Sequence, residues 1–188
     1  VIMQNEWVKA AADIQNYNDI TMGVGHTPRP PVILTNVSCA ETREEAEDRA
    51  MQYLGAKWDS IDNHYKFSDG HLGSVKGYES YGKMAKTYSK LQDPVAREKM
   101  TKFYVGIQIV GTPDDCIQQM GELQRLTGTD HMVCDFSYGG MPHEQGELNM
   151  RLFADRVMPT LQRDGAFSGP ALVPEASMQA QEGVFAPA

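Results

Sequence analysis

The residues with the most chemical potential are Ser137, Tyr138, Gly139, Gly140 and Met141, followed directly by Pro142, His143 and Glu144. The stretch HMVCDFS precedes them and an amphipathic stretch follows. The glycine pair therefore sits between the C-terminal end of a strand and the start of a helix. In α/β proteins ligands collect at that edge. Two glycines let a flat ring or a phosphate approach the backbone, and the N–H groups of a helix start favour an anion. The competing reading is a plain strand-to-helix turn that needs positive φ at glycine, and spacing alone favours it.

Other candidates carry less. His143-Glu144 opens like a zinc-binding helix, but position 147 is Glu, so HExxH is incomplete. A solvated first-turn pair is expected there, because Glu near a helix N-terminus is favourable. His64 and His71 fall in the polar, glycine-rich stretch NHYKFSDGHLGSVK. Either could ligate a metal or move a proton, but a loop histidine without an identified partner is more often simply exposed. Tyr78, Tyr81 and Tyr88 recur at helical spacings, which reads as packing rather than a stacking platform. No metal site is expected, and no Ser-His-Asp set, P-loop or GxGxxG fingerprint is present.

Several elements must position the glycine turn. Residues 5–20 have roughly helical spacing, and TMGVGHTPRPPV is a loop. VILTNVSCA, residues 32–40, reads as a strand buried on both faces, as in a parallel sheet. Thr42 and Glu45 match a capping box that starts a helix running to about residue 62. Residues 63–76 read as a long loop and 77–91 as an amphipathic helix. Asp93-Pro94 opens a short helix, and YVGIQIV, residues 104–110, is extended. Thr112-Pro113-Asp114-Asp115 is the clearest helix start, with a cap, a first-turn proline and two acids at the positive dipole end. Gly128 ends that helix, residues 131–137 form a strand, and Pro142 opens a last helix that Pro159 kinks or frays. The tail 164–188 has no period and is expected to be extended or flexible.

The chain has 188 residues and a formal net charge of −8 with no basic block, which argues against nucleic acid or an anionic membrane as partner. No apolar run approaches the ~20 residues of a membrane span, and no signal peptide is evident. Cys39, Cys116 and Cys134 are an odd number with no CxxC, so buried or half-buried thiols and a reducing, cytoplasmic home are expected. VIMQNEWV is not a usual translation start, and the chain is expected to be a processed, nicked or partial piece of something longer.

Three stretches together carry a resemblance: VSCAETREEAEDRAMQYL, VGTPDDCIQQMGELQ and HMVCDFSYGGMPHEQGELNMRLFADRVMPTLQ. They resemble the C-terminal part of the luciferase-like flavin monooxygenases, which include bacterial luciferase, alkanesulfonate monooxygenase and long-chain alkane monooxygenase. The resemblance covers most of residues 1–163. It implies an α/β fold that is the C-terminal portion of a (β/α)8 TIM barrel. That portion would be helix-rich, with an inserted helical and loop region at about 63–104 between the last two barrel strands. Residues 32–39 would be the penultimate strand, 113–127 the seventh helix, 131–137 the last strand and 142–162 the last helix.

The resemblance also implies reduced FMN at the C-terminal strand ends. Ser137 to Met141 would be cofactor-binding walls, and the segment from His64 to Lys76 a mobile lid. Contacts to the flavin phosphate would lie in earlier strands absent from this chain, since a whole barrel needs ~250 residues. The implied function is part of a monooxygenase that uses reduced FMN and O2 to oxidise a small organic substrate. A flavin reductase would supply the cofactor, and the N-terminal part of the barrel or a second subunit would complete a homo- or hetero-oligomer. Two rivals stand beside it. One is a non-catalytic half-barrel that binds a partner chain or second copy. The other is a relative that uses a deazaflavin.

Overall fold

The computed structural model describes residues 2–3 and 6–163, so the expectation for the tail falls outside the described residues. Helix α1 spans Trp7–Gly23 and leads through the proline-rich loop to strand β2, Val32–Cys39; a two-residue strand β1, Ile2–Met3, precedes them. Helix α2 follows over Arg43–Tyr65. Three 3-10 turns, Phe67–Asp69, His71–Ser74 and Glu79–Tyr81, then lead into α3, Gly82–Lys90, and α4, Pro94–Gly106. The second half runs β3 (Ile109–Gly111), α5 (Pro113–Thr127), β4 (His131–Asp135), α6 (His143–Arg156) and a short α7 (Met158–Leu161).

All strand pairs are parallel, and β2 is in every one of them. Val32–Asn36 pair with His131–Asp135, Val37–Cys39 with Ile109–Gly111, and Ile33 and Leu34 with Ile2 and Met3. Strands β3 and β4 do not pair with one another among the described residues. This overturns the expected barrel portion. A barrel closes by passing hydrogen bonds from each strand to the next around a ring. Here one eight-residue strand serves strands of five, three and two residues, and the other regular elements are helical. The architecture is a small, helix-rich α/β domain.

Side-chain alternation sorts the sheet. Ile33, Val37 and Cys39 point to one face and join Ile109, Cys116, Met120, Leu123, Phe153 and Val157 in the main core. On the other face Ser38 donates to the Ala46 carbonyl at 2.8 Å, and α2 lies over it. Ala50, Tyr53 and Leu54 of α2 form a second core with Tyr104, Ile107, Tyr138 and Met141. A third, smaller core joins Phe67, Tyr88 and Leu91. The three thiols are free, with Cys39 and Cys116 buried and Cys134 half-buried.

Local chemistry explains the helix starts. Thr112 accepts a hydrogen bond from the Asp115 N–H at 3.3 Å, while Asp115 Oδ2 accepts from the Thr112 N–H at 2.9 Å, completing a capping box. At Thr42 only half of the expected box forms: its hydroxyl takes the Glu45 N–H at 3.2 Å. Arg43 instead pairs with Asp115, tying the starts of α2 and α5 together.

Acid should loosen this joint. The Thr112 N–H and hydroxyl hold the Asp115 carboxyl below its ordinary value of 3.8, with help from Arg43. A lowered folded-state pKa means stability that is complete above the unfolded value and is lost as pH falls through the folded one. Asp115→Ala is expected to cost about 1–2 kcal/mol at neutral pH. Urea unfolding should show the gap from wild type narrowing as pH drops below 3.8.

Several boundaries differ from the sequence reading. Helix α4 continues to Gly106, so the strand within YVGIQIV begins only at Ile109. Helix α2 runs past 62 to Tyr65, where Lys66 adopts a left-handed φ of 52°. Strand β4 stops at Asp135, and Pro142 is the residue before α6 rather than its first.

Candidate functional site

The glycine turn is held by the side chains on either side of it. Tyr138 is buried, donates its hydroxyl to the Val37 carbonyl at 3.3 Å, and is pushed up to about 12 by that burial. Met141 is buried in the same core, and its N–H donates to the Tyr138 carbonyl at 3.1 Å. Both side chains therefore anchor inward, and the intervening backbone stays at the surface. Gly139 and Gly140 have φ of 61° and 79°, which side chains adopt only with strain.

The glycines differ in surroundings. A Cβ on Gly139 would overlap the Tyr53 carbonyl oxygen of α2, whereas one on Gly140 would meet nothing within 4 Å. The turn thus rests directly on α2 and opens outward at Gly140. A cleft of about 560 Å³ follows, lined by Gly139, Gly140 and the α2 residues Ala56, Ser60, Asn63 and His64. These α2 positions recur three and four apart, so one helix face supplies the whole polar wall.

Of the five residues singled out in sequence, the structure brings Gly139 and Gly140 to this cleft. Tyr138 and Met141 are its buried anchors. Ser137 is exposed, its N–H directed at Asp135 Oδ1 at 3.3 Å, and it does not line the cleft. His64, at the end of α2, does line it, with its ring edge-on to Tyr65 at 4.6 Å. His71 is exposed in a 3-10 turn, and His143 is a solvated first-turn residue 4.0 Å from Glu147. No group of side chains suited to a metal ion occurs among the described residues.

The tyrosine stripe divides. Tyr88 packs in the third core, but Tyr78 and Tyr81 are 49% and 38% exposed. Tyr81 stacks on Phe67 at 5.8 Å and Phe67 on Tyr65 at 5.3 Å, forming an aromatic line that ends beside His64. The segment expected to act as a lid is pinned at this point, because Phe67 is buried and Asp62 accepts from the Ser68 N–H and hydroxyl at 2.8 and 2.6 Å.

A second cleft of about 590 Å³ lies along the start of α2, lined by Thr42, Glu44, Glu45, Asp48, Arg49, Gln52, Gln145 and Leu148. Its one cation is occupied: Arg49 donates to the Cys39 carbonyl at 2.6 Å and to Ser38 Oγ at 3.1 Å.

Sequence reasoning missed a polar cluster on the sheet. Asn36 is fully buried, and its amide donates to Gln108 Oε1 at 2.9 Å and to the Tyr104 hydroxyl at 3.3 Å. Lys57 Nζ donates to Asn36 Oδ1 at 3.0 Å and lies 4.0 Å from Asp135. The signal was an asparagine, the most polar residue inside the mostly apolar run VILTNVSC.

No family model matches the chain. The fold is similar to that of the crystal structure of the monooxygenase RslO1 from Streptomyces bottropensis, at 18% sequence identity and a TM-score of 0.51. The likeness covers 84% of this chain and 40% of that one, so this chain spans well under half the length of the protein it resembles. No helix among the described residues is long and apolar enough to cross a membrane.

Proposed function

We propose that this chain is the part of a flavin-dependent monooxygenase, of the luciferase-like family, that forms one wall of the cofactor site. The observation that carries the reading is the cleft in which two left-handed glycines face a polar strip of α2. Support comes from the fold's likeness to a protein named a monooxygenase and from the resemblance of the sequence motifs.

The residues present fit a flat ring edge. Gly140 leaves open space where a side chain would project, and Ser60, Asn63 and His64 offer hydrogen-bonding groups across from it. The lining contains no Lys or Arg, so this wall suits the ring of FMN better than a phosphate or the anionic tail of a deazaflavin. Bound reduced FMN would supply the reaction with O2 that places one oxygen atom on a small organic substrate. The chain's own residues would orient the ring, and the buried Tyr138 and Met141 would keep the turn rigid beneath it.

The phosphate grip and the remaining walls would come from a second subunit or from further residues of a longer chain, with a flavin reductase delivering the cofactor. Val133 favours such a partner, since it is a strand residue yet 49% exposed. Size-exclusion with mass detection tests this. A native mass well above the 20.9 kDa of these 188 residues is expected, from a second subunit or from further residues of a longer chain, and a stable 20.9 kDa monomer would contradict it.

His64→Ala should weaken FMN binding about three- to tenfold, the loss of one polar contact, without changing the unfolding midpoint. The proposal as a whole is tested by supplying reduced FMN and O2 to the native protein with a panel of organic substrates. Oxygenated product together with saturable FMN binding supports it. Absence of both product and FMN binding counts against it.

A further inference from the structure

The main core holds two thiols that the proposed flavin site does not use. Cys39 is the last residue of β2 and Cys116 lies near the start of α5, and both are buried in the same core. Strand register sets Cys39 level with Gly111 of β3, about 5 Å away on the neighbouring strand. Cys116 Sγ lies 3.9 Å from the Gly111 carbonyl oxygen, and that same oxygen accepts from the Ala40 N–H at 3.1 Å. One carbonyl therefore brings the end of β2 and the start of α5 together, and a thiol–thiol hydrogen bond joins Cys39 to Cys116 directly. The third thiol sits elsewhere. Cys134 is level with Thr35, four residues back along β2 and about 13 Å from Cys39.

The two thiols of the pair differ. The hydrogen bond from Cys116 and the charge of Arg49 hold the Cys39 thiol below its ordinary value of 9.0, against its burial. The same bond and burial push the Cys116 thiol up. A thiolate-forming cysteine thus touches a protonated one, as an attacking thiol does its resolving partner.

We propose that Cys39 and Cys116 are a redox-switched pair, closed to a disulfide by a peroxide and reopened by thiols. The Cys39 thiolate attacks one oxygen of hydrogen peroxide. An S–O bond forms, the O–O bond breaks, and the departing hydroxide takes up the proton that Cys39 released, giving water. Cys39 has then lost two electrons and is a sulfenic acid. The Cys116 sulfur attacks it, the S–O bond breaks, and the second oxygen leaves as water with the Cys116 proton. Two thiols and one peroxide give one disulfide and two waters. The closed bond would tie the end of β2 to α5, which the Arg43–Asp115 pair already links to α2. Burial makes the reaction wait on brief opening of the strand end, so it is expected over hours rather than seconds. The inference does not depend on flavin binding.

The test treats the native protein with hydrogen peroxide in the absence of flavin. The peroxide is removed with catalase, and the protein is unfolded, alkylated with iodoacetamide and weighed. One alkylated cysteine is expected, against all three in untreated protein. A non-reduced peptide map should join Cys39 to Cys116, and dithiothreitol should restore all three thiols. In Cys116→Ala, dimedone should trap a sulfenic acid at Cys39, whereas in Cys39→Ala it should leave Cys116 unlabelled. Should a variant fail to fold, the wild-type map still decides. Three alkylated cysteines after peroxide, a bond through Cys134, or any oxidation that leaves Cys39 and Cys116 unjoined would overturn the proposal.

Discussion

Gly139→Ala is expected to destabilise the domain by about 2–5 kcal/mol, measured by urea unfolding. Two effects add. A left-handed backbone with a Cβ costs about 1–2 kcal/mol. The added methyl also overlaps the Tyr53 carbonyl oxygen and lies 2.8 Å from the Tyr53 carbonyl carbon and 3.2 Å from the Lys57 nitrogen. Those are backbone atoms in the middle of a long helix, so relief requires the turn and α2 to move apart, and overpacking of this kind costs about 1–3 kcal/mol more. Gly140→Ala is the control. Its φ of 79° carries the same strain, but its Cβ meets nothing, so a loss of only about 1–2 kcal/mol is expected. Equal losses at the two positions would show that the turn does not rest on α2.

Asn149→Leu should cost about 2–6 kcal/mol, because one side chain of α6 holds three backbone groups, two on β2 and one just after β4. Asn149 is fully buried; its Oδ1 accepts from the Cys39 N–H at 2.8 Å, and its amide donates to the Val37 carbonyl at 2.7 Å and the Phe136 carbonyl at 3.1 Å. Leucine matches the size but leaves the Cys39 N–H and Phe136 carbonyl without this partner, at about 1–3 kcal/mol each. The Val37 carbonyl keeps the Tyr138 hydroxyl at 3.3 Å, which limits the damage there. Phe136 leads into the glycine turn, so the variant should also weaken any ligand of the cleft. The neighbouring Leu148→Ala, at a position 65% exposed, should change stability by less than about 0.5 kcal/mol.

Local chemistry was legible in the sequence, and long-range arrangement was not. Thr112, Pro113 and Asp115 announce a helix start because capping depends only on neighbours, and Gly128 does close that helix at φ 67°. The glycine pair announces a turn for the same reason. YVGIQIV misled because its apolar, β-branched residues suit a strand, yet Tyr104 and Ile107 are buried by packing against α2 as the tail of α4. The family resemblance that these motifs carried implied a barrel portion, but the motifs themselves serve any β–α unit. They do not specify how many strands follow one another around a sheet. The role of Lys57 was hidden for a similar reason. On α2 it reads as one more solvated cation, and only the pairing of β2 with β4 places Asn36 and Asp135 together beneath it. Gly139 and Gly140 were found by spacing, whereas the polar wall opposite them depends on how α2 lies across the turn.

The central claim is that the cleft beyond Gly140 receives the flavin ring, and Gly140→Asn tests it most directly. Asparagine tolerates the left-handed backbone better than other residues, so the fold should persist. Its side chain enters space that is otherwise open. FMN affinity of the native protein and the variant would be compared by flavin fluorescence, with urea unfolding to confirm that both are folded. At least a tenfold loss of FMN affinity in a folded Gly140→Asn protein is the result predicted. Unchanged affinity, or no FMN binding by the native protein, would contradict the account.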